Sequence, residues 1–240
     1  MRAKRTLTVL AMTVAGLWLA PAGAQTYQAP RQANGLPDWG GLWARAKGEG
    51  SSIDPAVADG AYATNAPFTP QARAAYEAIR KARDEGKPAG EIGCLPSGSP
   101  RVWRANYPIE FVVTPGVTYL LYEFKAETRR VYTDGRKPPS GDDLELNYNG
   151  FSSGRWEGDA LVFDTVGLKA HTIDADGLDH SDALTLHERI RRTSPDTMEV
   201  AITMTDPKTF TRPWTVTRHY SLRPGWTMGE FVCAGTEREH

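Results

Sequence analysis

The sequence predicts a mainly β fold, an antiparallel barrel or alternatively a sandwich, with one amphipathic helix ahead of the strands. Three observations predict it. From residue 109 onward the chain is a series of short β-rich runs separated by local turns. Near the middle of that region, 154–167 reads G-R-W-E-G-D-A-L-V-F-D-T-V-G, two strand-like runs around a short Gly-containing turn, the pattern of a β-hairpin. Only one stretch, near 70–85, combines a helical period with start and stop signals.

The N-terminus reads as an export signal. Arg2, Lys4 and Arg5 precede an apolar run over 7–19, and Ala22-Gly23-Ala24 supplies an A-x-A cleavage site. That run is too short to span a bilayer stably, and no later stretch is apolar enough to do so. Residues 1–24 are assigned to the signal, 25–37 to a polar, Pro-punctuated flexible lead, and 38–240 to a single β-rich domain of a secreted or periplasmic protein. The leader removes three basic residues and no acidic ones, so the 216 residues left carry 25 Lys and Arg against 29 Asp and Glu. A formal charge of −4 gives no footing for nucleic acid or an anionic membrane as partner. The only thiols, Cys94 and Cys233, both lie in the exported part, which predicts one disulfide between them. No feature of the sequence fixes an oligomeric state.

Taken in order, Asp38-Trp39-Gly40-Gly41-Leu42-Trp43 carries a G-x-W element at the first strand, and 47–65 is a Gly-, Ser- and Asp-rich loop. The helix follows. Thr69 suits the N-cap, Pro70 the first helical position and Gly86 the stop, while Ala72, Ala75, Tyr76, Ile79 and Ala82 share one face. Residues 90–107 form a loop holding the basic-aromatic run Arg101-Val102-Trp103-Arg104. Strands are expected over 109–113, 117–124 and 128–133, then after a longer connection as the central hairpin. A polar loop at 169–182 leads to a second hairpin, 184–192 and 198–205, and 214–222 and 230–233 complete the set.

These segments resemble a family of uncharacterised exported bacterial proteins. The motifs that carry the resemblance are P-D-x-x-G-x-W at 37–43, C-x-P-x-G-x-P-R at 94–101 and P-x-E-F-x-x-T-P at 108–115. Further on come R-R-x-Y-T-D-G-R at 129–136, the hairpin motif itself, H-S-x-x-L-x-x-x-E-R at 180–189, P-W-T at 213–215 and E-x-V-C at 230–233. The resemblance covers nearly the whole exported chain and implies no settled activity. It departs at Lys137-Pro138, where members carry a histidine. The G-x-W element is also similar to the first strand of lipocalin-like barrels, which implies a barrel closed beneath that Trp by an Arg from the last strand, here Arg218.

Residues 171–182, H-T-I-D-A-D-G-L-D-H-S-D, concentrate two His and four Asp. The spacing matches no metal-ligand pattern, so no metal is assigned. There is no P-loop, G-x-G-x-x-G or G-x-S-x-G, and no cofactor is assigned. Acid–base chemistry needs a neutral His and an orienting carboxylate. The resemblance puts His180 first, because it begins the H-S-x-x-L segment, and His171 second, with Asp164 or Asp174 as orienter. Asp164 shares its strand face with Val162 and Val166, and Glu123 shares one with Val117, Tyr119 and Leu121, so both carboxylates join the nominated set. Tyr107, Tyr122, Trp156 and Arg130 are nominated to line a pocket. The function expected is a cofactor-independent isomerase- or lyase-like enzyme acting on a small aromatic or apolar molecule inside the barrel. The alternative is a non-catalytic binding protein of the same build.

Overall fold

The computed structural model describes residues 27–50, 52–55, 65–87, 93–174 and 177–233, so the expected leader and cleavage site at 1–24 lie outside the described residues. The strands are β1 Leu42–Arg45, β2 Ile109–Thr114, β3 Val117–Tyr122, β4 Glu127–Tyr132, β5 Phe151–Glu157, β6 Ala160–Val166, β7 His171–Thr172, β8 Asp179–His180, β9 Thr185–Ser194, β10 Thr197–Thr205 and β11 Trp214–Leu222. Nine of them close a barrel in the order β1-β11-β10-β9-β6-β5-β4-β3-β2, while β7 and β8 form a separate two-stranded ribbon. The barrel is mixed, which corrects the antiparallel expectation. β4 and β5 run parallel, pairing Val131 with Ser152 and Tyr132 with Ser153. A hairpin cannot join parallel neighbours, and the connection 133–150 is long enough to return the chain before β5 begins. No strand forms at 230–233.

The central hairpin forms as expected, with a two-residue Gly158-Asp159 turn and Glu157 paired with Ala160. Gly154 is required there by space. A Cβ at that position would stand 2.1 Å from the Val162 carbonyl oxygen and 2.4 Å from Phe163 Cβ. The turn also anchors the chain ahead of the barrel. Asp159 accepts from the Ala29 amide at 2.8 Å and pairs with Arg31, so 27–37 is docked where a flexible lead was expected.

Alternation sets the interior. Thr118, Leu120 and Tyr122 of β3, Leu161, Phe163 and Thr165 of β6, and Leu186, Glu188, Ile190 and Arg192 of β9 are all buried. The run Arg101–Arg104 is a short 3-10 helix that drives Trp103 into the barrel, fully buried. Its ring lies edge-on to Tyr122, centroids 5.7 Å apart, and its carbonyl accepts from the Tyr220 hydroxyl. Trp43 sits beneath Arg192, whose guanidinium carbon is 5.3 Å from the ring centroid. Arg218 is turned instead to the carbonyls of Gly50, at 3.0 Å, and Ser52.

The helix α1, Pro70–Asp84, starts where Thr69 Oγ1 accepts from the Ala72 amide at 3.2 Å. Of its apolar face only Tyr76 is buried, its ring tilted against that of Phe68 with centroids 5.0 Å apart. At its far end Ile79 leans on Gly177, where a Cβ would meet Ile79 Cγ2 at 2.2 Å. The helix thus packs on the rest of the fold at Ala72 and Tyr76 and, further along, at Ile79. Cys94 and Cys233 are disulfide-bonded with Cα atoms 5.7 Å apart.

Candidate functional site

The barrel interior holds a closed polar centre. Arg129 of β4 and Glu188 of β9 form an ion pair with side chains 1% and 0% exposed. Arg129 Nη1 donates to Glu188 Oε1 at 2.9 Å and Nη2 to Oε2, while Trp103 Nε1 donates to Oε1 at 2.7 Å. Arg129 also donates to Ser152 Oγ at 3.1 Å and to Thr165 Oγ1 at 2.7 Å. Burial works to lower the proton affinity of Arg129, but the Glu188 charge and hydrogen bonds outweigh it and hold the guanidinium above its ordinary value. Burial pushes the Tyr122 phenol well up. Trp103, fully buried, covers this centre, and among the described residues its polar groups are taken up by one another.

The nominated carboxylates lie elsewhere. β6 turns Leu161, Phe163 and Thr165 inward, so Asp164 is on the outer surface, 2.7 Å from His187 Nδ1. Arg155 and Arg189 are not its partners, since both hold Glu157. Glu123 lies just past β3, at the start of a 3-10 turn, and accepts from the Gly229 amide at 2.7 Å. Asp164 and His180 are thus not a unit. The nominated pocket residues are also dispersed. Tyr122 is inside the barrel and Arg130 outside it, over the Tyr119 ring at 5.8 Å. Trp156 packs on Trp39 at 4.8 Å, and Tyr107 is exposed, stacked on Phe124 at 5.0 Å. Among the nominated residues, two are brought directly together: His171 and His180 face each other across the β7–β8 ribbon.

His180 lines a groove of about 710 Å3 between helix α1 and the ribbon. Phe68, Ala72, Ala75, Tyr76 and Ile79 make its apolar wall, and Asp179, His180, Ser181, Lys208 and Thr209 its polar side. The imidazole is 5% exposed, and its Nδ1 lies 2.9 Å from the Ser181 carbonyl. A carbonyl only accepts, so Nδ1 carries the proton and Nε2 keeps its lone pair. Burial lowers the proton affinity of His180, against the opposing Ser181 hydrogen bond and the Asp206 charge.

Ser181 is itself fixed. Asp206, between β10 and β11, accepts from the Ser181 amide at 2.7 Å and hydroxyl at 2.8 Å, and from the Thr209 hydroxyl at 2.9 Å. Burial alone would raise the Asp206 carboxyl, but these bonds and the Lys208 amide bring it below the ordinary range. A carboxylate therefore steadies His180 through Ser181, without touching the ring. Among the described residues no group of three or more His, Cys, Asp or Glu is arranged to hold a metal ion.

His171 is pushed down to about 4 by burial first, then by the charges of Arg101 and His180, with the Pro96 carbonyl opposing and Lys125 adding a smaller push. Its Nε2 is buried without a hydrogen-bond partner. A folded-state value below the unfolded value near 6.5 means that the unfolded chain takes up the proton first. Folding stability from this residue is therefore complete above pH ~6.5 and is lost as pH falls toward 4. Because the ring is partly solvated, we expect a loss of only about 1 kcal/mol. Urea unfolding at pH 7.5 and 4.5 should show a shallower pH dependence in His171→Phe than in the parent, and equal slopes would refute the assignment.

Sequence reasoning did not nominate Glu188, Trp103 or Asp206 as site residues. Glu188 shares strand parity with Leu186 and Ile190, as Arg129 does with Val131, and that parity was the signal available for both. Asp206 carries no comparable signal, because its partners come from a different loop. No family model, no curated protein and no solved structure matches this chain.

Proposed function

We propose that the protein binds a small apolar or aromatic molecule in the groove between helix α1 and the β7–β8 ribbon. The observation that carries this reading is the groove itself, about 710 Å3 with one apolar wall and one polar wall. That volume falls within the range small-molecule sites occupy, and a few fixed polar groups on an apolar surface are what orient such ligands. An extracytoplasmic location goes with it, supported by the signal-like leader and the Cys94–Cys233 bond, since disulfides persist in oxidising compartments. The lipocalin-like reading of the barrel rests on the Gly41-Leu42-Trp43 element with an arginine over Trp43, supplied by Arg192. Membership of the exported bacterial family rests on the motifs set out above.

The test uses a neutral fluorescent aromatic, N-phenyl-1-naphthylamine. Ala75 is exposed and lines the groove, so Ala75→Glu places a charge there without disturbing the core. Saturable binding by the parent and at least tenfold weaker binding by the variant are expected. Equal affinities would overturn the proposal.

A second reading, a cofactor-independent isomerase or lyase, is favoured by the fixed tautomer of His180. Nε2 is the free base of a neutral ring, suited to take a proton from carbon and return it at another position, or to retain it while a leaving group departs. Deuterium wash-in from heavy water into a bound carbon acid is then expected for the parent and abolished in His180→Gln, with naphthylamine binding retained. Undiminished wash-in in His180→Gln would leave binding alone.

A further inference from the structure

We propose that the groove between α1 and the β7–β8 ribbon takes a neutral phenol, whose hydroxyl donates to Nε2 of His180. The inference rests on the groove-binding reading and adds to it the chemical class of the ligand. His180 is buried and lines the groove. With its Nδ1 proton given to the Ser181 carbonyl, the ring has one lone pair left, on Nε2. That atom has no hydrogen-bond partner among the described residues, yet it is not one of the polar atoms closed off from solvent. An accessible acceptor on an otherwise buried ring is open to a group that enters the groove. Burial disfavours the protonated ring, so the lone pair stays available at neutral pH.

The donors around the groove are committed elsewhere. Ser181 and Thr209 give their hydroxyls to Asp206 at 2.8 and 2.9 Å. Lys208, the one cation among the described residues lining the groove, is held by Asp182 at 2.6 Å. At the start of α1, Pro70 has no amide hydrogen, Ala72 donates to Thr69 Oγ1 and Arg73 to the Thr69 carbonyl, so the helix end contributes the Gln71 amide alone. The Asp179 carboxyl also lines the groove and disfavours an anion there. The polar side thus asks for a ligand that brings a donor and no negative charge. A phenol supplies one O–H for the one lone pair, and its ring suits the apolar wall, where Phe68 and Tyr76 lie 5.0 Å apart. A site that hydrogen-bonds a hydroxyl rejects the analogue lacking it, because the site's own buried polar group is then left unpaired.

The experiment is displacement of N-phenyl-1-naphthylamine from the whole exported chain at pH 7.5 by three naphthalenes of similar size. These are 1-naphthol, 1-fluoronaphthalene, which lacks the donor, and 1-naphthoate, which carries a charge. Displacement by 1-naphthol is expected to be stronger than by either of the others by roughly tenfold, the effect of one hydrogen bond in a buried site. His180→Phe removes the acceptor and should bring 1-naphthol and 1-fluoronaphthalene to equal affinity. A parent that does not bind the naphthylamine ends the groove reading and this inference with it. A parent that binds it, and loses it in Ala75→Glu, but takes 1-fluoronaphthalene or 1-naphthoate as well as 1-naphthol keeps the groove and overturns the phenol. A preference for 1-naphthol that survives in His180→Phe would overturn it too. The parent series decides by itself if His180→Phe does not fold.

Discussion

Glu188→Ala should destabilise the fold by about 3–5 kcal/mol, the cost of leaving a buried charge without its partner. Arg129 is 1% exposed and would keep Ser152 and Thr165 as acceptors but no counter-charge. The Trp103 Nε1 donor would lose its acceptor as well, which adds a desolvation cost of its own. In a chain of this size the melting temperature should fall by about 10 °C. The double variant Arg129→Met with Glu188→Leu removes both charges and should recover much of the loss, since apolar replacement of a buried pair is often neutral. Equilibrium urea unfolding of the parent, the single variant and the pair reads this out. A single-variant loss below about 1 kcal/mol would mean that water reaches the pair past Trp103.

Reduction of Cys94–Cys233 should cost roughly 4–5 kcal/mol by loop-closure entropy, because the bond spans 139 positions. It also holds Phe231 against Tyr107 and Phe124, so the loss should be accompanied by release of the chain near 230–233. Denaturant midpoints with and without reductant, checked against Cys94→Ala with Cys233→Ala, measure the effect. The signature of release is faster proteolysis near the C-terminus in the reduced protein under native conditions. Identical midpoints would show that the remainder of the fold carries the tail without the bond.

Strand positions were legible because alternation and Gly- or Pro-marked turns are local signals. The hairpin 154–167, the strand Trp214–Leu222 and the cap of α1 at Thr69 all stand where the residues placed them. Which face of a strand points inward was less legible. β6 reads Ala-Leu-Val-Phe-Asp-Thr-Val, apolar on both sides, so the row Val162-Asp164-Val166 could not be recognised as the outer one. Glu123 was read as part of β3, but the strand ends at Tyr122 and Glu123 begins the 3-10 turn that follows. The parallel β4–β5 pair depends on where a long connection returns, which no short window of sequence encodes. His180 was nominated because it begins the H-S-x-x-L segment of the resemblance, in a loop that concentrates titratable residues. The groove beside it was not, because it exists only when α1 comes to lie next to that loop.

The short first strand has a consequence for the order of assembly. β1 meets β2 through two residue pairs and β11 through three, so the barrel's seam lies between the chain's earliest and latest strands. One hydrogen bond across it, Arg223 Nη2 to the Arg45 carbonyl at 3.2 Å, joins positions 178 apart. Such non-local closure slows folding, because the connecting chain must lose its freedom before the contact repays it. A chain interrupted before Trp214 would present β10 and β1 as unpaired edges, open to pairing with other chains. The final nine-residue strand thus converts an aggregation-prone open sheet into a cylinder without edges, and it can do so only after synthesis has delivered it.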